Sequence, residues 1–196
     1  MNTKAALELS TTMLVVIIIS IVIFAAGITL LWKVYGGAKD VQASIEQSTQ
    51  QQIEAMLVSG KSLVAIPINE LPAKAGKQVV FGVGIRNIGI NPSFSLVVSF
   101  EGAYRLDGTK ITENIDPDLG TKWLGGFAST KNIVIKPNEY QTIPILVKPR
   151  ASTKGNYVFN VCVFNQATVT EPCSTDGTYA GFDLYDKIYQ ITVKLS

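Results

Sequence analysis

From residue 9 to residue 32 the chain carries no charge, and the run from Met13 to Trp32, MLVVIIISIVIFAAGITLLW, is apolar on every face. About 20 residues at roughly 1.5 Å each cover the hydrocarbon core of a bilayer. A secretory signal needs an apolar stretch of only about 7–15 residues before a small-residue cleavage site. The expectation is therefore a membrane-spanning helix, with Trp32, Lys33 and Tyr35 as interfacial anchors. Valine and isoleucine lower helix propensity in water, but in lipid the backbone must satisfy its own hydrogen bonds, so a helix is still required.

A plain anchor does not account for Glu8, or for Ser10, Thr11 and Thr12 beside it. Glu8 either lies at headgroup level or is buried. If buried, it costs several kcal/mol unless an amine or hydroxyl meets it. Gly36 and Gly37 read as a break or hinge, because each glycine costs about 1 kcal/mol inside a helix. Helical spacing resumes over residues 38–59, with Val34, Ala38, Val41, Ile45, Ser48, Gln52 and Met56 as a thin stripe and Gly60 as the stop. One element over residues 4–59 would be about 80 Å long. Ala25, Ala26 and Gly27 permit close approach of a second helix.

Composition narrows the chemistry. Charged residues are 16% of the 196, against a usual share of about 25%. The 17 basic and 15 acidic residues form no basic block, so no nucleic-acid partner is expected. The absence of histidine removes the commonest general base and every mechanism that leans on an imidazole. No GxSxG, HExxH or P-loop occurs, and Gly82 and Gly84 lack the third glycine of a dinucleotide fingerprint. Asp116 and Asp118 lack the further ligands of a calcium loop and read as a solvated turn. The expectation is no enzyme, no cofactor and no metal.

From Lys61 the period changes to alternation, and strands are expected at 77–87, 93–100, 132–135, 141–147, 157–164 and 187–195. Val79, Phe81, Val83 and Ile85 fall on one face of the first, while Gly82 and Gly84 leave its other face bare for a close neighbour. The Asn, Gly and Pro residues of 87–93 predict a tight turn, making the first two strands a hairpin. The irregular stretch 101–130 is the expected surface contact. Cys162 and Cys173 are either one disulfide or two buried thiols. A bridge closing roughly ten residues contributes about 2–3 kcal/mol and persists outside the cytoplasm. The expected fold class is α+β: a long N-terminal hydrophobic helix (domain 1–60) followed by an all-β immunoglobulin-like sandwich (domain 61–196).

A short leader, an apolar helix with an early glutamate, an amphipathic extension and a β-domain together resemble the type IV pilin superfamily, its archaeal members in particular. Lys4 and Ala5 before Ala6 resemble a prepilin processing site, and a cut there would make Glu8 the third residue. The bacterial pattern, with glutamate fifth, would need a cut after Thr3. The resemblance implies processing by a prepilin peptidase, a stay in the membrane, and homo-polymerisation by a membrane assembly machine into a filament on the cell surface. Glu8, Leu14, Ile18, Ile21, Phe24, Ala25 and Gly27 would then pack in the filament core, and the β-domain would form the outer, adhesive surface. An archaellum filament and a monomeric membrane-anchored immunoglobulin-like binding module are the alternatives. The glycine-rich start common in archaellins is absent. The phrases IKPNE (135–139) and KGNYVF (154–159) weakly resemble extracellular immunoglobulin-like adhesion modules.

Overall fold

The computed structural model describes residues 11–42, 47–60, 62–113, 115–116, 118–150, 153–169, 172–174 and 183–196. Two compact units divide at Asp40 and Val41. The first contains α1, Thr11–Gln42, a continuous helix that passes through Gly36 and Gly37 without the expected break. Its described side chains, residues 13–28, are all exposed.

The second unit begins with α2, Gln47–Val58, and continues into two sheets. The smaller sheet joins β1 (Val64–Ala65), β3 (Val79–Arg86) and β6 (Tyr140–Val147) in the order β1-β3-β6. The larger joins β2 (Glu70–Ala73), β8 (Tyr189–Leu195), β7 (Gly155–Phe164), β4 (Ser93–Tyr104) and β5 (Ser129–Val134), in that order. All pairings are antiparallel except β2 with β8. The architecture is an immunoglobulin-like β-sandwich.

Alternation fills the space between the sheets. Phe81, Val83 and Ile85 of β3 and Ile143, Ile145 and Val147 of β6 share one core with Phe94, Leu96 and Val98 of β4, Tyr157 and Phe159 of β7 and Ile191 and Val193 of β8. Each fully buried side chain of this size stabilises by about 1.5–3 kcal/mol. One end of the core is plugged by α3, Leu119–Leu124, whose Leu119, Trp123 and Leu124 are buried. The Trp123 ring lies 4.5 Å from that of Tyr157. Part of the stretch 101–130, expected as surface, is therefore core.

The expected fold class is corrected from α+β to mainly β. Two helices, α1 and α2, stand where one element over 4–59 was expected, and α2 belongs with the sandwich. Among the described residues no helix is long and apolar enough to cross a membrane. The stripe is corrected too: Ser48, Gln52 and Met56 are exposed, and the buried face lies one residue on, at Thr49, Ile53 and Leu57. A third correction concerns β3 and β4, which are not a hairpin. They lie in different sheets, joined by an arch over the end of the core. Both strands carry an apolar face, and only an arch turns the two faces toward each other.

The chemistry that seats α2 is the missing side chain of Gly84. A Cβ there would lie 2.8 Å from Leu57 Cδ1 and closer still to Ile53 Cγ2. Arg86 Nη1 donates to Leu57 O at 2.9 Å, sharing with Gly60 N a carbonyl at the end of the helix. Replacing Gly84 by valine is expected to push α2 off the sheet at a cost of about 1–3 kcal/mol. Hydrogen exchange should quicken over residues 47–58 while the β4–β7 amides keep their protection. Unchanged exchange in α2 would contradict the close packing.

Candidate functional site

Among the described residues, no group of three or more Cys, Asp or Glu side chains is placed to hold a metal ion. The Asp116 and Asp118 pair has a cation of its own, Lys122, whose Nζ lies 2.5 Å from Asp116 Oδ2 and 3.8 Å from Asp118 Oδ2. The hydrogen bond from Lys122 holds the Asp116 carboxyl below the usual carboxylate range, and Lys122 is raised in return. Glu101 is tied into a row across the outer face of the larger sheet. Asn160 Nδ2 donates to Glu101 Oε2 at 2.5 Å, and Gln190 Nε2 donates to Asn160 Oδ1 at 3.0 Å. Tyr189 donates to Val64 O at 2.8 Å, pinning β1. Burial first, and then the neighbouring Asp186 carboxylate, push its hydroxyl well above the ordinary tyrosine range, so it remains a donor at neutral pH.

Beyond the sandwich core, the β7–β8 connection lays a second apolar cluster on the outer face of the larger sheet. Cys162 of β7 is bonded to Cys173, with Cα atoms 5.6 Å apart. Val97, Phe164 and Val169 pack with them. Ser95 Oγ donates to Gln166 O at 2.7 Å, and Cys173 N donates to Ser99 Oγ at 2.8 Å.

Among the described residues, exposed apolar side chains concentrate in two places. The first is α1, where the large hydrophobic side chains between Met13 and Phe24 are 44–71% exposed, Leu14, Ile18, Ile21 and Phe24 among them. Ala25 is exposed as well, and a Cβ on Gly27 would have nothing within 4 Å. Lys4, Ala5, Ala6 and Glu8 lie outside the described residues.

The second is the end of the sandwich where two arches meet, residues 87–92 between β3 and β4 and residues 135–139 between β5 and β6. Asn87 is fully buried there. Its Nδ2 donates to Ile135 O at 2.8 Å and to Asn91 O at 3.0 Å, and its Oδ1 accepts from Gly89 N at 2.8 Å. Its backbone is held too: Asn87 N donates to Glu139 O, and Asn138 N donates to Asn87 O. Asn91 Nδ2 donates to Asn165 O at 2.8 Å, while Asn165 Nδ2 returns a bond to Ser93 O at 3.1 Å. Tyr185 donates from its hydroxyl to Arg86 O and accepts from Ile88 N. On this scaffold Ile88 is 58% and Ile90 93% exposed.

The sequence reading took 87–93 for a tight turn and so passed over these two isoleucines. The available signal was an apolar residue at every second position in a segment otherwise made of Asn, Gly and Pro, which no turn geometry demands.

No protein-family model and no curated protein matches the chain. Solved structures similar to it include the seventh PapD-like (ASH) domain of human CEP192, at 13% identity and a TM-score of 0.36, covering 68% of this chain and 85% of that one. The CARDB domain of a Pyrococcus furiosus protein is similar at 13% identity and a TM-score of 0.34, covering 67% and 89%. The class 5 fimbriae chaperone CfaA follows at 13% and 0.35, covering 67% of this chain and 55% of that one. These findings correct the type IV pilin resemblance: the similar structures are PapD-like and related sandwich domains rather than pilins, and no pilin family matches. The archaellum alternative has no support there either.

Asn87→Ala removes three side-chain hydrogen bonds and leaves the buried Ile135 carbonyl short of its donor, while Asn91 O keeps a bond from Asn165 Nδ2. The expected loss is about 2–4 kcal/mol in denaturant unfolding. A loss below about 0.5 kcal/mol would show that the arches do not depend on this amide.

Proposed function

We propose that the chain is a non-catalytic adhesion or binding module that works outside the cytoplasm and associates with copies of itself through α1. The observation that carries this reading is the exposure of α1 on all its described faces. A helix that is apolar all round is stable only when surrounded on every side. Apolar surface on this scale exceeds what soluble monomers leave open. Ser20 supports the same conclusion, because its hydroxyl donates to Val16 O at 2.8 Å and asks nothing of a neighbour. Copies of the same helix supply apolar neighbours in any direction, and a head-to-tail contact of this kind propagates into a polymer.

The disulfide supports the compartment. Cysteine bridges persist under oxidising conditions, as at a cell surface, and are rare in the cytosol. The sheet edges bear on the mode of binding. β6 and β2 carry Pro144 and Pro72, β1 is two residues long, and β5 is interrupted by a register shift against β4. Such edges resist the addition of a foreign strand, so the module recognises its partners by surface rather than by extending a sheet.

Sedimentation velocity and electron microscopy of the full chain test the assembly. Wild-type protein is expected in large, extended species, and Ile18→Asp is expected to reduce them to small ones while the sandwich keeps its circular dichroism. A wild-type chain that stays monomeric without detergent would overturn the reading. For the compartment, mass spectrometry of protein alkylated in intact cells should find Cys162 and Cys173 bridged. Free thiols reached only after lysis would place the domain inside.

A further inference from the structure

The 17 basic residues form no block along the chain, but the topology gathers five of them at the end of the sandwich that α3 plugs. The β2–β3 turn carries Lys74 and Lys77, and the β6–β7 connection carries Lys148, Arg150 and Lys154. Register places both connections at that end. Val79 of β3 is opposite Val147 of β6, and Leu195 of β8 is opposite both Ala73 of β2 and Gly155 of β7. Gly76 N donates to Pro149 O at 2.7 Å, so the two connections are bonded to each other. With strands about 4.8 Å and sheets about 10 Å apart, the five residues are rooted in an area roughly 10 Å on a side.

All five are exposed, and among the described residues none has a carboxylate within ion-pair distance. Neither 71–100 nor 140–170 contains an aspartate or glutamate. Neighbouring elements keep carboxylates for their own cations: Glu70 pairs with Lys194 and Asp116 with Lys122, each at 2.5 Å. The backbone beneath the five is held. Lys77 N donates to Lys74 O at 3.0 Å across a turn whose Gly76 is left-handed, at φ 77°. Lys148 N donates to Trp123 O at 2.9 Å, and the Tyr157 hydroxyl donates to Thr153 O at 2.8 Å.

We propose that these two connections bind an acidic polysaccharide, a hydrophilic polymer carrying repeated carboxylate or sulfate groups. This partner rests on the reading above that the domain works outside the cytoplasm, and it gives that reading a ligand class. Like charges this close repel one another, and a polyanion relieves the repulsion while releasing its own counterions. The apolar groups that other partners need are missing from the patch. Neither connection exposes a large hydrophobic side chain, and Leu106, exposed at the same end, belongs to the turn after β4. A protein partner is held by buried apolar anchors and a bilayer surface by an apolar face, whereas a charged sugar chain is held by long cationic side chains alone.

The test uses the full chain in nonionic detergent, which covers α1, with affinity read on immobilised polygalacturonate and on dextran as the neutral control. Wild-type protein is expected to bind polygalacturonate but not dextran at about 0.15 M salt, with a dissociation constant that rises as salt is raised. Lys74→Gln with Lys77→Gln, and Arg150→Gln with Lys154→Gln, should each raise that constant at least about tenfold. Circular dichroism and thermal unfolding should stay unchanged, because all four side chains are exposed. Lys136→Gln with Lys187→Gln removes the same charge from exposed positions at the opposite end and should leave the affinity as it was. The proposal is overturned if wild type binds polygalacturonate no better than dextran, or if the opposite-end pair weakens binding as much as either patch pair. It is equally overturned if the patch variants keep their affinity for polygalacturonate and lose only that for duplex DNA, because the patch would then serve a nucleic acid. Failure of the compartment reading would appear separately, as Cys162 and Cys173 thiols alkylated only after lysis.

Discussion

The buried amide of Asn87 joins the two sheets where their strands change sides. A sandwich core requires β3 to hand the chain to β4 in the opposite sheet, and β5 to β6 in the reverse sense, so two arches cross over one end of the apolar interior. Arches expose backbone N–H and C=O groups that no ladder can satisfy. Asn87 meets this need for both, bonding Ile135 O of one arch and Asn91 O and Gly89 N of the other. The burial of Ile85, Phe94 and Ile133 beneath it depends on the arches staying closed. Net gains of about 1 kcal/mol per bond are modest, but an unpaired buried carbonyl costs more than a pairing gains, and this asymmetry makes the position decisive.

The opposite end is closed differently, by bulk rather than by hydrogen bonds. Trp123 reaches in from α3 to the rings of Tyr157 and Phe159, and Phe100 packs on the same pair. On the outer faces, Gly84 admits α2 to the smaller sheet, and the Cys162–Cys173 bridge fastens a covering segment on part of the larger one. Each covering removes apolar surface from water.

How far the sequence reveals this structure depends on whether a signal is local. The alternation of Phe81, Val83 and Ile85, and of Phe94, Leu96 and Val98, names the inner faces of β3 and β4, because a period of two needs no knowledge of the partner. The arch between them is not local. Asn, Gly and Pro serve a hairpin and an arch equally well, and only the sheet to which each strand is bonded separates the two. The helix stripe failed for a related reason. Ser48, Gln52 and Met56 have the same spacing as Thr49, Ile53 and Leu57, and what selects the second set is the bare backbone at Gly84, distant in sequence. Leu119, Trp123 and Leu124 had helical spacing, yet the Gly and Asp residues around them masked it. The pilin resemblance rested on Lys4 to Ala6, Glu8, the apolar run, the helix after it and a β-domain taken together, and of these Lys4 to Glu8 lie outside the described residues.

The two open apolar surfaces differ in a way that bears on what each can do. On α1 the exposed side chains are mostly isoleucine and valine in every direction, with no charged residue between Met13 and Ile28. Such a surface gives cohesion without register, because any apolar neighbour satisfies it. At the sandwich end, Ile88 and Ile90 stand on a hydrogen-bonded frame and are bordered by Lys136 and Glu139. The difference follows from the chemistry beneath each: a helix satisfies its own backbone whatever surrounds it, whereas an arch needs fixed polar groups to hold its backbone.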